Sequence, residues 1–159
     1  MKRLLAMIAA LALALMLAPA ALATGAPQFQ NVLFDSGKQA VGYLASGEYE
    51  RLVTLLPFSG IAPSAAEWES FAGNFIDLTD VQQDYSVAWW TGTMWKLAVP
   101  MQVPETEDVE ALVLTSEDGS VFDGYRYALW SQVEMEYEIS DHVLWNLEYV
   151  GGAPMVFVD

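Results

Sequence analysis

The most constraining feature of this sequence is the aromatic stretch Asp84–Val103, in which apolar side chains alternate on either side of a turn. Alternate residues of a β-strand point to the same face of its sheet. The stretch therefore predicts two long antiparallel strands joined near Thr91-Gly92. The second strand presents a continuous apolar face, and we expect helices to pack on it. That face consists of Trp95, Leu97, Val99, Met101 and Val103.

Three helices are predicted upstream of these strands. Apolar residues recur at spacings of three and four over Pro27–Ser46, which favours a first helix. A second, shorter helix is expected over Glu48–Leu56. Ser64 and Glu67 have the spacing of a capping box, so a third helix should begin there and run to about Leu78.

The rest of the chain predicts further strands. Val109–Thr115 is apolar on both faces, which indicates a central strand, and Val121–Trp130 follows a turn as its partner. Pro100 lacks an N–H group, so a free edge or a bulge is expected beside it. Val133–Ile139 alternates without error and predicts a hairpin with Val143–Tyr149. A last short strand is expected over Met155–Val158.

These elements together predict a single α+β domain over residues 24–159. Three N-terminal helices should pack on a curved antiparallel sheet, with an extra C-terminal β-hairpin. The common core is expected over residues 27–129 and the C-terminal extension over residues 130–159. The placement of that extension is left open between extending the main sheet and covering its outer face.

The order of elements and two short motifs resemble a known fold. Three helices before a strongly bent antiparallel sheet is the order of cone-shaped folds similar to nuclear transport factor 2. The junction Ser46-Gly47-Glu48-Tyr49, and the turn Ser116–Ser120 followed by Gly124-Tyr125, resemble those of an uncharacterised secreted bacterial family with that fold. In that family Asp and Lys stand where this chain has Glu48 and Ser120. The resemblance covers about residues 27–129, and it implies fold and compartment but no functional residue.

The amino terminus has the pattern of a secretory signal peptide. Lys2 and Arg3 precede the apolar run Leu4–Leu17, and Ala21-Leu22-Ala23 fits a cleavage site between small residues. We therefore expect cleavage after Ala23, a secreted or extracytoplasmic mature chain, and no membrane association after cleavage. The alternative is an uncleaved anchor, because the uncharged run to Ala23 is just long enough to span a bilayer.

The charge balance limits the partners that this chain would bind. It carries 21 acidic and six basic residues, and removal of Lys2 and Arg3 with the signal leaves four basic ones, a mature net charge of −17. Such a surface repels nucleic acid and anionic lipid, so the predicted partner is a protein or a small ligand. The chain has no cysteine, which excludes thiol catalysis, zinc–thiolate sites and iron–sulfur clusters.

Few residues suggest catalysis. His142, the only histidine, follows Asp141, but no nucleophile motif accompanies the pair, and an exposed turn is expected there. Asp77, Asp80 and Asp84 border the apolar stretches and should end the third helix and line a turn. We predict no catalytic residue, no metal site and no cofactor, and we lean towards a protein that is not an enzyme.

Glu134, Glu136 and Glu138 would form a carboxylate row along one strand. Successive members would lie about 6.8 Å apart, which is too wide for one Ca²⁺ ion. No segment matches the pattern of an EF-hand loop. The row is expected to be either a solvated face or, together with Trp90, a surface that holds a partner.

Aromatic residues suggest a pocket between the helices and the sheet. Such pockets are mostly apolar with a few polar anchors, and the alternative is a solid core. The candidate ligand-binding residues are Trp68, Trp89, Trp95, Tyr125 and Tyr127. Trp89 and Trp90 are adjacent in a strand, so one of them must lie outside the helix-covered core and be covered by the hairpin, a partner or a ligand. We expect this to be Trp90, which makes the sheet a candidate homodimer surface.

Three functions follow from these features. The first is a non-catalytic secreted binding or protein-interaction module, and it is the one we favour. The second is a small-ligand-binding cone with an aromatic pocket, with or without catalysis beside Asp77 and Asp84. The third is an acidic surface protein that binds cations.

Overall fold

The computed structural model describes residues 25–76, 78, 80–81, 83–102, 109–137, 140, 142–145 and 156–157. The predicted signal peptide lies outside these residues. The described part contains four α-helices and an antiparallel sheet, which confirms the predicted α+β class. None of its helices has the length and apolar character needed to cross a membrane.

The three predicted N-terminal helices are present as α1 (Asn31–Ser46), α2 (Tyr49–Leu55) and α3 (Ala65–Ala72). The capping box that begins α3 is confirmed: the Ser64 N–H donates to Glu67 Oε2 at 2.7 Å, and the Glu67 N–H donates to Ser64 Oγ at 3.3 Å. The Glu67 carboxylate accepts hydrogen bonds from the Ser64 N–H and, at 2.8 Å, from the Ser64 hydroxyl, and these two bonds, the backbone one first, hold the pKa of Glu67 below its usual value. Helix α3 ends at Ala72, earlier than the sequence predicts.

The described residues form seven strands of one sheet: β1 (Asp80–Val81), β2 (Val87–Trp90), β3 (Trp95–Gln102), β4 (Val109–Ser116), β5 (Gly124–Leu129), β6 (His142–Trp145) and β7 (Val156–Phe157). Six of them lie in the order β5-β4-β3-β2-β6-β7, and the short β1 pairs with the end of β3, next to β2. A 3-10 turn over Gln83–Tyr85 separates β1 from β2. Strand β4 lies between β3 and β5, as its two apolar faces predict.

Pro100 lies in the central strand β3, opposite Ala111 of β4. On the other side of β3, Ala98 pairs with β2 and Met101 pairs with β1, so Pro100 faces the interruption between these two strands. The Thr91 N–H donates to the Met94 carbonyl, and strand alternation then directs the backbone of residue 100 towards β2 and β1. Among the described residues, the proline therefore faces no ladder partner that would need its missing N–H, and this interruption takes the place of the predicted free edge.

The inner face of the sheet carries the three N-terminal helices, as predicted. Trp95, Leu97 and Met101 of β3 are buried in one cluster with apolar residues of α1, α2 and α3. A Cβ atom at Gly37 of α1 would collide with the Leu97 side chain, so the glycine allows the helix to lie close against the sheet. The apolar face read from the sequence is thus the main core of the protein.

The predicted C-terminal hairpin is wrong in its first arm. Residues Trp130–Tyr137 form a helix, α4, whose Trp130, Val133 and Tyr137 pack on the outer face of the sheet. Their spacing of three and four is helical, and it coexists with the alternation on which the strand prediction rested. Strand β6 pairs with β2, and β7 pairs with β6. The extension therefore both covers the outer face and widens the sheet.

The carboxylate row is a second correction. Glu134 and Glu136 lie on α4, where side chains two residues apart do not share a face, so they form no row. Glu134 is exposed, and Glu136 lies between two basic side chains. Glu138 lies outside the described residues.

The turn between β4 and β5 is hydrogen-bonded to the segment before α1 and to the segment after α2. The Gln30 N–H donates to the Gly119 carbonyl at 2.9 Å, just before α1 begins. On the following residues, the Phe122 N–H donates to the Pro57 carbonyl and the Ser59 N–H donates to the Phe122 carbonyl, both at 2.7 Å. One turn therefore anchors both the start of α1 and the chain that follows α2.

Candidate functional site

The five predicted pocket residues do not lie together. Trp68, Trp95, Tyr125 and Tyr127 are on the inner, helix-covered face of the sheet, whereas Trp89 is on the outer face under α4. The pairing of Trp90 with Trp95 directly opposite places Trp90 on the inner face, where the two rings are 5.7 Å apart. The expectation that one of the adjacent tryptophans lies outside the helix-covered core holds, but that residue is Trp89.

The inner aromatic residues pack closely on one another. Trp68 is fully buried. The centroid of its ring lies 4.4 Å from the ring centroid of Tyr125 and 5.7 Å from that of Phe71. Burial, with a smaller contribution from the Glu67 carboxylate, raises the pKa of Tyr125. This arrangement is typical of a solid core. Ligand binding by these inner residues stays a prediction.

A fully buried carboxylate, which the sequence analysis missed, lies on the same face. Glu110 of β4 accepts hydrogen bonds from the Tyr127 hydroxyl at 2.7 Å and from the Ile76 N–H at 3.0 Å. Each carboxylate oxygen thus has one donor, and the side chain ties the segment after α3 to the sheet. The burial of Glu110 was predictable from the sequence, because it lies on the same face of the strand as the buried Leu112 and Leu114. With both oxygens engaged, its evident role is to fix the fold.

Three of the nine predicted site residues line an open cleft of about 290 Å³ between the β2–β3 turn and the end of α4. We refer to it as the hairpin cleft. Its surface is more apolar than polar. Its lining residues are Trp89, Trp90, Thr91, Gly92, Lys96, Glu136 and Ser140. Trp89, Trp90 and Glu136, which two separate sequence arguments singled out, therefore line the same space.

An ion triad forms one side of the hairpin cleft. Glu136 Oε2 lies 2.7 Å from Lys96 Nζ of β3, and Glu136 Oε1 lies 2.6 Å from Arg126 Nη2 of β5. Strand β4 runs between these two strands, so the carboxylate on α4 bridges across it. All three side chains are partly buried, which screens their interaction less than at an exposed site. The triad fixes α4 on the sheet.

The triad is also a local reversal of charge. The chain after residue 23 has only four basic residues, and two of them meet here around one glutamate. The three charges sum to +1 on a protein that carries a strong negative charge overall. An anionic group would therefore meet a more favourable local potential at the hairpin cleft than over most of the acidic surface.

Hydrogen-bond donors are in excess in the hairpin cleft. The Lys96 ammonium has three donors, of which Glu136 accepts one. The indole N–H groups of Trp89 and Trp68 also lack an acceptor among the residues that the structure describes, but both are buried and out of reach of a ligand in the cleft. In contrast, the Ser140 hydroxyl donates to the Glu136 carbonyl, and Thr91 Oγ1 closes the turn with Met94. The hydrogen-bonding groups left unused in the cleft are therefore the remaining ammonium donors of Lys96.

Lys96, Thr91 and Ser140 were not predicted as site residues. The position of Lys96 on the outer face was predictable, because it alternates with the inner apolar residues of β3. Its ion pair with Glu136 was not, because it requires α4 to be a helix where a strand was predicted.

Of the other predicted residues, three have a described backbone position. Asp80 lies in β1, Asp84 in the 3-10 turn and His142 in β6, whereas Asp77 and Asp141 lie outside the described residues. Over the described ranges, no group of three or more His, Asp or Glu side chains is arranged to hold a metal ion.

Comparison of the chain with protein-family models, with curated proteins and with solved structures gives no match. The geometry of the hairpin cleft is therefore the basis for a functional assignment.

Proposed function

We propose that the mature chain is a non-catalytic, extracytoplasmic binding module and that its ligand site is the hairpin cleft. The observation that carries this proposal is the meeting of Trp89, Trp90 and the Lys96–Glu136 ion pair in one open cleft of about 290 Å³. Ligand pockets range from roughly 300 Å³ upwards, so this volume suits a small molecule built on a single ring.

Binding fits the cleft better than catalysis because Glu136 and Ser140, the groups that could act as base or nucleophile, are already engaged. The Glu136 carboxylate has a cation on each oxygen, and the Ser140 hydroxyl donates to a backbone carbonyl. A nucleophile needs a base within hydrogen-bond reach, and neither group offers that arrangement. The lining residues supply apolar surface, one ammonium group and a fixed shape, which are the elements of recognition.

We extend the proposal to compartment and fold. The amino-terminal signal pattern supports an extracytoplasmic protein, and, because the chain has no cysteine, its core rather than disulfides would hold it together. Three helices on one face of an antiparallel sheet support a cone similar to nuclear transport factor 2. Trp90 packs on Trp95 within the chain, so we favour a small ligand over a second copy of the protein as the partner of this region.

The test is a binding experiment on the mature chain with three ring compounds of one size: benzamide, benzoate and benzylamine. We expect at least one of them to shift the amide NMR signals of Thr91, Gly92 and Ser140 in a saturable manner. The Trp90→Leu variant should weaken this binding, because Trp90 is one of the residues that line the cleft. A Trp68→Phe variant is the matched control, since Trp68 is buried away from the cleft.

Shifts confined to residues outside the cleft would contradict the proposal, and so would the lack of any saturable shift. Equal binding by the Trp90→Leu and Trp68→Phe variants would also count against it. Light scattering on the same samples tests the competing interpretation, in which a dimer dissociates when Trp90 is replaced.

A further inference from the structure

We infer that the ligand of the hairpin cleft carries a carboxylate on an apolar ring, and that Lys96 recognises this carboxylate. This inference rests on the proposed function, because it names the chemical class that the same cleft would select. Two features of the cleft favour an anion over a neutral or cationic ligand.

The first feature is the unused donor capacity of Lys96. One of its three ammonium donors is directed to Glu136 Oε2 at 2.7 Å, and the others remain available to a group inside the cleft. An ammonium binds a carboxylate oxygen through a charge-assisted hydrogen bond, which is stronger than a bond to a neutral acceptor. A cationic ligand would instead meet the like charge of Lys96.

The second feature is the position of Arg126. It neutralises Glu136 from the far side, so the carboxylate of this glutamate does not cancel both cations. The net charge of +1 lies next to the cleft, where partial burial keeps it from being fully screened. A single glutamate facing a single lysine would have produced a neutral site. Because Arg126 is the second cation, the triad keeps a net positive charge that attracts a negatively charged ligand.

The overall charge of the protein limits how many negative charges the ligand can carry. The strong overall negative charge opposes polyanions, so the favoured ligand is a monocarboxylate.

The experiment compares the affinities of benzoate, benzamide and benzylamine, which share one ring and differ in charge. In the mature chain we expect benzoate to bind about tenfold or more tightly than benzamide, the ratio expected for a charge-assisted hydrogen bond. Benzylamine should bind most weakly. In the Lys96→Met variant, benzoate and benzamide should bind alike, because the ammonium that distinguishes them is gone.

The matched control is Arg51→Gln, which removes one positive charge at an exposed position in α2 and should keep the preference for benzoate. Arg126 still holds Glu136 in the Lys96→Met variant, so α4 has an anchor. Should that variant nevertheless fail to fold, the comparison of the three compounds in the unmodified chain is decisive by itself.

The outcomes separate this inference from the proposed function. Binding of benzamide in the cleft as tightly as benzoate overturns the carboxylate inference but leaves the binding module intact. A preference for benzylamine overturns the inference in the same way. If none of the compounds perturbs the amides of the cleft, the proposed function fails and the inference fails with it.

Discussion

Replacement of Gly119 by alanine should destabilise the protein far more than the same replacement at Gly60. Both glycines have a left-handed backbone, with φ of 75° at Gly119 and 76° at Gly60. An L-residue in this conformation costs roughly 1–2 kcal/mol at either position. The surroundings differ: a Cβ atom at Gly60 would meet nothing within 4 Å, whereas at Gly119 it would lie 2.5 Å from the Gln28 carbonyl oxygen.

The additional cost at Gly119 follows from what has to move. The colliding atom belongs to the backbone, so it cannot rotate away as a side chain would. A shift of this segment breaks the hydrogen bond from the Gln30 N–H to the Gly119 carbonyl, a loss of about 1–3 kcal/mol when the groups are buried. It also displaces Phe29, which is buried in the main core. We expect a total of about 3–5 kcal/mol at Gly119, against about 1–2 kcal/mol at Gly60.

The assay is urea denaturation of the mature chain and both variants, followed by circular dichroism at 25 °C. A domain of this size is stable by about 5–15 kcal/mol, so both variants should fold and give a measurable midpoint. The reduced entropy of the unfolded chain on changing glycine to alanine is common to both and cancels in the comparison. The reasoning is refuted if the two variants differ by less than about 0.5 kcal/mol, the usual size of an exposed substitution.

Three further predictions test the ion triad, the buried carboxylate and the capping box. Glu136→Gln should lower the free energy of unfolding by about 1–2 kcal/mol, and Glu48→Gln, at an exposed ion pair, by at most about 0.5 kcal/mol, both measured by urea denaturation. Equal effects would show that the triad does not fix α4. Glu110→Gln and Tyr127→Phe should each lower the melting temperature, because the first directs an amide group at one of two donors and the second leaves a buried carboxylate oxygen without its donor, each at a cost of about 1–3 kcal/mol. A loss below about 0.5 kcal/mol for either variant in calorimetry would argue against the structural role of Glu110. The carboxyl of Glu67 should titrate by NMR below the usual range, and its midpoint should rise when the serine that caps α3 is replaced by alanine. Because the folded pKa is lowered, this contribution to stability is present above the unfolded pKa and is lost as pH falls through the folded value. An unchanged midpoint in the alanine variant would refute the assignment.

The helical half of the fold was predictable because its signals are local. The capping box of Ser64 and Glu67 and the left-handed Gly47 at the end of α1 act within a few residues of the chain. The apolar face of β3 was equally readable, since a strand carries its own period. Each of these features appears in the structure close to where the sequence places it.

Helix α4 was not predictable from its own residues. Its sequence satisfies a period of two and a spacing of three and four at once, so local patterning allows a strand and a helix. The sheet decides between them. Ala98, Ala111 and Ala128 are small residues on the outer face, and they leave room for a helix to approach. Glu136 then reaches Lys96 and Arg126 across β4, a contact that no strand hairpin was expected to make.

Strand register decides which face of the sheet each of the two adjacent tryptophans occupies. Alternation requires that Trp89 and Trp90 face opposite sides, but which side each takes depends on the pairing across the turn. Trp90 pairs with Trp95, so a tight connection at Gly92-Thr93 places Trp90 with the helices. A shift of one residue would have exchanged them. This is why the outer tryptophan is Trp89, and why the cleft lies beside α4.

By itself, the sequence determined the α+β class, the three helices, the apolar face of β3, the lack of thiol chemistry and the acidic charge, because these depend on composition or on neighbours along the chain. Only the tertiary structure decided the outer layer and the site. The hairpin cleft joins residues of β2, β3 and α4, and the ion pair of Lys96 with Glu136 joins residues far apart in the chain. Such contacts depend on strand register and on the packing of residues Trp130–Tyr137 as a helix against the sheet. Neither can be read from a local sequence pattern.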